Sequence, residues 1–331
     1  MNIMKAKTGK FKKLRYALFG AIFFPVIFCG QARAYGFTVY YLYKLANFSG
    51  FIPFSFGTQL ALDDQTGEVY VINGGVSIFN THGMQTFRFG ESAGLGSIQG
   101  LAVDKDGNIM TLSYERDGMR YFIGFCNYRG ELERKIGVTG LPPDFSAFKP
   151  QSILLKGGRL YLVDKVNMLV AQIDAKGVCL KTWDLFRIMG WDKVKNDDGS
   201  LLKPGAISAF GFTIDGEGNM YFTAPTSFRA YKVTPDGKAS GFGQGGDGPG
   251  KFGVVSGIAV DSKGYIYVSD RLRCVVMIFD KNLDFVKEFG FRSYGPGGLI
   301  VPDDMVIGKD GTLYVSQGGD RGVDVFRMDY D

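Results

Sequence analysis

The side chains that could do chemistry in this chain are mostly carboxylates, amides and guanidinium groups, because imidazoles and thiols are scarce. Its 331 residues include one histidine, His82 in a Thr-His-Gly turn, and four cysteines, Cys29, Cys126, Cys179 and Cys274. A catalytic zinc needs two or three converging imidazoles or thiolates, and a serine triad needs its histidine, so both chemistries are poorly supplied. Oxygen ligands are more plentiful. Asp104-Lys-Asp106-Gly107-Asn108 and Asp215-Gly-Glu217-Gly-Asn219 are spaced like fragments of calcium loops, yet Asp, Asn and Gly are also the residues a tight hairpin turn demands. Calcium is thus the one cofactor left open, with turn chemistry as its competitor.

Two glycine-rich signals do not hold. Gly241-Phe-Gly243-Gln-Gly-Gly246 has the spacing of a dinucleotide fingerprint and Gly245 to Lys251 most of a P-loop. No helical pattern follows to present its positive end to a phosphate, and Phe252 stands where a P-loop needs Ser or Thr. Basic residues are a stronger lead. Arg116, Lys165, Arg229, Arg271 and Arg321 each fall in a connection between apolar runs, suited to an anionic ligand or an acidic protein patch, unless each pairs with a neighbouring Asp. Trp183 and Trp191 lie in or beside an irregular stretch, 183–209, where large aromatics either anchor a partner or pack back onto the fold.

The first 34 residues read as an export signal. Six basic residues, Lys5 to Arg15, lead into an apolar run from Tyr16 to Gly30, and Ala32-Arg33-Ala34 has the small-x-small form of a cleavage site. The run is short for a membrane span, so the expectation is residues 1–34 removed, no membrane span afterwards, and a periplasmic or extracellular protein of residues 35–331. Seven of the 38 Lys and Arg residues lie in that segment with no Asp or Glu, which leaves 31 basic against 33 acidic residues. Nucleic-acid binding, which rests on clustered basic charge, loses its support. The three remaining cysteines are an odd number, each read within a strand, so buried thiols are expected rather than a disulfide framework.

The elements that must position these residues announce themselves by repetition. A turn glycine, any residue, an apolar residue, tyrosine and another apolar residue recur at Gly67, Gly158, Gly218, Gly264 and Gly311, and Gly107 keeps the frame with Met110 in place of tyrosine. The glycines are 40, 51, 60, 46 and 47 residues apart, the period of β-propeller blades with four strands each. After Gly311 the chain has room for two more strands but not three, whereas Phe37 to Leu45 is an orphan strand before the first unit. The spacing therefore predicts an all-β, six-bladed β-propeller of four-stranded antiparallel blades, closed by the N-terminal strand. The five basic positions fall on loops joining second and third strands, hence on one face of the ring.

The best-formed unit carries a resemblance. Gly257-Ile-Ala-Val-Asp261, Gly264-Tyr-Ile-Tyr-Val-Ser-Asp270, Val276-Met-Ile-Phe-Asp280 and Glu288-Phe-Gly290, with the feeder Phe242 to Phe252, resemble the NHL repeat. Arg273 and Val275 depart from the Asn and Arg that family usually carries there. The resemblance implies a six-bladed propeller whose relatives include protein- and RNA-binding modules as well as lyases and lactonases, and it places some secreted members alongside exported cytochromes. This chain has no Cys-x-x-Cys-His to hold a haem itself. Two functions remain side by side: an exported binding or scaffolding module engaging a protein or a small anionic ligand through one face, or a calcium-dependent lactonase- or lyase-like enzyme with its site in the channel.

Overall fold

The computed structural model describes residues 36–46, 58–90 and 94–330; the export-signal reading of residues 1–34 and Cys29 fall outside them. The described chain forms six four-stranded antiparallel sheets. Blade one is Gln59–Leu62, Val69–Ile72, Val76–Phe79 and Gln85–Phe89, and blade two Ser97–Val103, Ile109–Glu115, Arg120–Cys126 and Leu132–Ile136. Blade three is Ser152–Lys156, Arg159–Asp164, Leu169–Ile173 and Cys179–Asp184, and blade four Phe212–Ile214, Met220–Ala224, Arg229–Val233 and Ala239–Phe242. Blade five is Val255–Val260, Ile266–Asp270, Val275–Phe279 and Phe285–Phe289. Blade six takes Pro302–Ile307, Thr312–Gln317 and Gly322–Tyr330 from the end of the chain and Phe37–Lys44 from its start as the outermost strand. The expected propeller and its closure are both observed.

Each innermost strand touches that of the next blade, and Gln59–Leu62 meets Pro302–Ile307 to complete the ring. One apolar cluster fills each of the six blade boundaries, which is where a sheet with two half-hydrophobic faces must bury them. The recurrent tyrosines Tyr70, Tyr161, Tyr221, Tyr267 and Tyr314 are all buried there. Their hydroxyls need partners. Tyr221 and Tyr267 donate to Asp215 and Asp261 of their own first hairpin turns, each at 3.0 Å.

A second device repeats two residues beyond the tyrosine. Thr223, Ser269 and Ser316 accept hydrogen bonds from amides in or beside their own innermost strands, Gly211 at 2.9 Å, Gly257 at 2.8 Å and Asp304 at 2.9 Å. The same hydroxyls donate to carbonyls in or beside the innermost strand of the next blade: Thr223 to Ser256, Ser269 to Asp303 at 2.8 Å, and Ser316 to Thr58 at 3.3 Å. The approach is so close that a Cβ on Gly257 would collide with the Asp303 carbonyl. Blades one to three carry Ile72, Leu112 and Val163 at this position and rely on packing instead.

The irregular stretch after blade three forms a helical turn, Leu185–Ile188, whose N-cap Asp184 accepts from the Arg187 amide, then a 3-10 turn, Trp191–Lys193. Cys126, Cys179 and Cys274 are unpaired thiols, and Cys274 departs from the strand expectation by occupying a turn position at φ 58°. Ser269→Ala deletes one donor and one acceptor at the boundary of blades five and six and leaves the Gly257 amide and Asp303 carbonyl buried without it. We expect a loss of about 1–3 kcal/mol in unfolding free energy by denaturant titration; a loss within experimental error would show that the hydroxyl bridge contributes nothing.

Candidate functional site

The channel at the axis of the ring has two unlike ends. At the face formed by the first hairpin turns it is a cavity of about 560 Å³. Leu60, Leu62, Leu101, Val103, Leu155, Val260, Met305 and Ile307 line it, so its wall is aliphatic, with Asp63, Asp64, Asp104, Lys105, Asp106, Lys156 and Lys309 around the mouth. Most of these charges are spoken for. Asp63 accepts from the amides of Gln65 and Thr66, and Asp104 from those of Asp106 at 2.8 Å and Asn108 at 2.9 Å. Asp215 does the same for Glu217 and Asn219. The two candidate calcium loops therefore spend their carboxylates on turn backbone.

The opposite mouth is polar, and three blades build it. Asp164 accepts from the amides of Lys149, Val166 and Asn167, and so ties the loop after blade three's second strand to the strand-entry segment. Within that loop the Lys165 amide donates to Gln151 and its carbonyl accepts from Ala209, both within 2.8 Å. With its backbone pinned on both sides, Lys165 sends its side chain towards Asp304 and Asp303 of blade six, which stands across the ring from blade three. Its ammonium makes no hydrogen bond or ion pair with any described residue. Burial holds the Lys165 amine below the usual lysine range, with Asp304 and then Asp303 pulling the other way.

Asp304 shifts in the opposite sense. Burial raises its carboxyl above the usual range, partly offset by Lys165 and by the Leu60 amide it accepts from at 2.9 Å. Asp303, almost fully buried, accepts from the Arg271 guanidinium at 2.6 Å, and Arg271 lies 4.1 Å from the centre of the Phe210 ring. A divalent cation does not fit between these aspartates. Asp303 is engaged by Arg271, Asp304 by a backbone amide, and the Lys165 ammonium adds like charge. Among the described residues no three His, Cys, Asp or Glu side chains gather as a metal site.

Of the five basic positions, the structure brings Lys165 and Arg271 together at the polar mouth. Arg116 is exposed on its loop, Arg229 departs from the loop expectation as the exposed first residue of blade four's third strand, and Arg321 donates to the Tyr294 carbonyl at 2.7 Å beside Lys44 of the outermost strand. Trp183 is buried against Tyr161 and donates to the Pro235 carbonyl, while Trp191 sets its edge against Phe186, Phe222 and Tyr231. Both tryptophans thus lie in the packing of blades three and four. His82 is exposed in an outer turn of blade one.

Sequence reasoning missed a second feature of the polar face. Each loop between second and third strands in blades two to five displays one large apolar side chain: Met119, Val166, Phe228 and Leu272, with Phe291 and Tyr294 beside them on the segment entering blade six. Met119 is 79% exposed and Leu272 61%. Met119 and Phe228 sit at φ 46° and 51°, the left-handed region that side chains with a Cβ avoid. Met168 and Cys274 share that backbone position but turn inward and are buried. The signal that could have found the difference is the apolar residue amid Asp, Arg and Gly in Arg116-Asp-Gly-Met119 and Asp270-Arg-Leu272-Arg.

No family model matches the sequence, and no curated protein sequence matches it. Solved structures do share its fold. A structural-genomics protein from Bacteroides thetaiotaomicron superposes with a TM-score of 0.62 at 13% identity, covering 88% of this chain and 76% of that one. The virginiamycin B lyase of Staphylococcus aureus, in a form made catalytically inactive by replacing a histidine with alanine, gives 0.52 at 12% identity over 82% and 80% of the two chains. A gluconolactonase from Xanthomonas campestris gives 0.54 at 12% identity over 84% and 88%. At these identities the likeness establishes the propeller fold.

The charge geometry of the polar mouth has a measurable consequence. Because the folded-state value of Asp304 lies above its unfolded one, its contribution to stability is complete below the ordinary carboxylate range and is lost as pH rises towards the folded value. Lys165→Met removes a group that lowers that value, so Asp304 should titrate at higher pH than in the native protein, with a larger loss of stability on the way up. Carbon-13 NMR of the Asp304 carboxyl reads the shift directly; identical titration in both proteins would mean that the two side chains do not interact.

Proposed function

We propose that this protein is a binding propeller, exported after removal of its leader, that engages a protein partner through the face bearing the loops between second and third strands. One observation carries the reading: four consecutive blades each expose a large apolar side chain at the same loop, together with two arginines that have no acidic partner at contact distance among the described residues, Arg116 and Arg229. Isolated exposed apolar residues are ordinary, but a recurring set on one face is how an interaction surface is composed. Methionine, aromatic and arginine side chains are also those enriched in protein interfaces. Arg116 and Arg229 on this face would favour a partner with an acidic projection, alternatively a small anion, whereas Lys165 and Arg271 are balanced at the centre by Asp304 and Asp303.

Phe228→Asp with Leu272→Asp tests it. Both side chains are exposed, so the thermal midpoint should stay close to that of the native protein. Capture of partners from an envelope fraction, followed by mass spectrometry, should show specific proteins retained by the native propeller and lost from the double variant. Equal capture by both proteins would remove the face from consideration.

A second reading is favoured by the opposed shifts of Lys165 and Asp304. An amine held low and a carboxyl held high in one channel are suited to accept and donate a proton. The propellers that act as virginiamycin B lyase and gluconolactonase suggest which compounds to try, although the histidine chemistry implied for the lyase is not shared, since His82 lies away from the channel mouth. Turnover of a lactone or a cyclic streptogramin by the native protein, abolished in Lys165→Met, would establish it. Absence of turnover, or turnover indifferent to that substitution, would dismiss it.

A further inference from the structure

The aliphatic end of the channel has no role in either reading, yet it holds a sizeable cavity. Its volume of about 560 Å³ falls within the range of small-molecule pockets. The wall is contributed by residues at matching positions: Leu62, Val103, Leu155, Val260 and Ile307 lie at or next to the end of an innermost strand and are half-buried, each packing partly on a blade-boundary cluster and also lining the channel. The aliphatic side chains come from five blades and the polar ones gather at the mouth, an arrangement that suits a ligand with an apolar body and a polar head.

The charges at the mouth then select the head of whatever enters. Asp63 and Asp104 are turned into their own hairpins, Asp106 is paired with Lys105 at 2.7 Å, and Asp64 lies 3.9 Å from Lys309. Lys156, at the Gly157-Gly158 turn of blade three, has no acidic partner among the described residues and lines the cavity. Lys156 is thus the one charged side chain at this mouth with neither an ion pair nor a turn hydrogen bond among the described residues.

We propose that this end of the channel binds an amphiphilic carboxylate, with its aliphatic chain along the tube and its head on Lys156. The site is independent of the polar mouth and of the loop face. Binding should strengthen with chain length by about fourfold per buried methylene, the ratio set by the transfer free energy of one CH₂.

Calorimetric titration of the full chain with octanoate, decanoate and dodecanoate, kept below micelle formation, tests it. The expected result is one saturable site with that dependence on length. Val260→Phe and Leu62→Phe each fill the tube from a half-buried position and should abolish dodecanoate binding while leaving the thermal midpoint near the native value; two variants guard against one misfolding. Lys156→Glu should weaken dodecanoate at least tenfold without weakening dodecyltrimethylammonium. Absence of saturable binding, or binding unaffected by both tube-filling variants, overturns the site. Equal affinity of the native protein and Lys156→Glu for dodecanoate overturns the assignment of the head.

Discussion

The hydroxyl that joins one blade to the next governs how closely the innermost strands can approach. Ser269 takes the Gly257 amide on one side and gives its proton to the Asp303 carbonyl on the other, so a single oxygen satisfies two buried backbone groups belonging to different sheets. At the three boundaries that carry it the bridge covers polar groups of two innermost strands whose ladders run outward into their own blades, whereas blades one to three have Ile72, Leu112 and Val163 there and pack instead. Glycine at 211 and 257 is the steric counterpart, since any side chain there would strike the neighbouring backbone. The bridge also holds the main chain at Asp303, whose carboxylate carries Arg271. The polar mouth is therefore shaped by the same contacts that close the ring on that side.

Seen from the channel, the molecule is asymmetric from end to end. One mouth combines buried charges from blades three, five and six, the other an aliphatic wall and charges bonded within their turns or to a neighbouring blade. The asymmetry follows from where each kind of residue can sit on an innermost strand. The strand's beginning is threaded from the preceding blade and needs polar groups to satisfy irregular backbone, as Asp164 and Asp270 do. Its end enters a tight hairpin that satisfies itself, leaving the last strand residues free to be apolar.

Much of the fold was legible in the residues because it is local and repeated. The turn glycine with its tyrosine marked every blade but the second, where Met110 replaces the tyrosine, and the orphan strand at Phe37 found its partner by counting strands after Gly311. The site was legible only in part. Lys165 and Arg271 were visible as loop cations, but that Lys165 would reach Asp304 depends on blades three and six facing each other across the ring, which no spacing encodes. Likewise Leu62, Val103, Leu155, Val260 and Ile307 read as ordinary strand residues, since alternation tells which face of a sheet a side chain occupies but not whether a neighbour covers it. Trp183 and Trp191 stood out by composition and turned out to be packing residues, because the stretch around them folds back on blades three and four.

The outermost strand of blade six comes from the opposite end of the chain from its other three, pairing Phe37 with Tyr330 and Lys44 with Asp324. The seam therefore depends on contacts of the greatest sequence separation in the molecule, and such contacts form late because a long loop must close before they reward it. Until then blade six offers an open edge and Phe37–Lys44 a strand without a sheet, two halves of one joint that any second copy can also supply. Pairing of the two ends of the chain is therefore also the step that covers the last open edge of the ring.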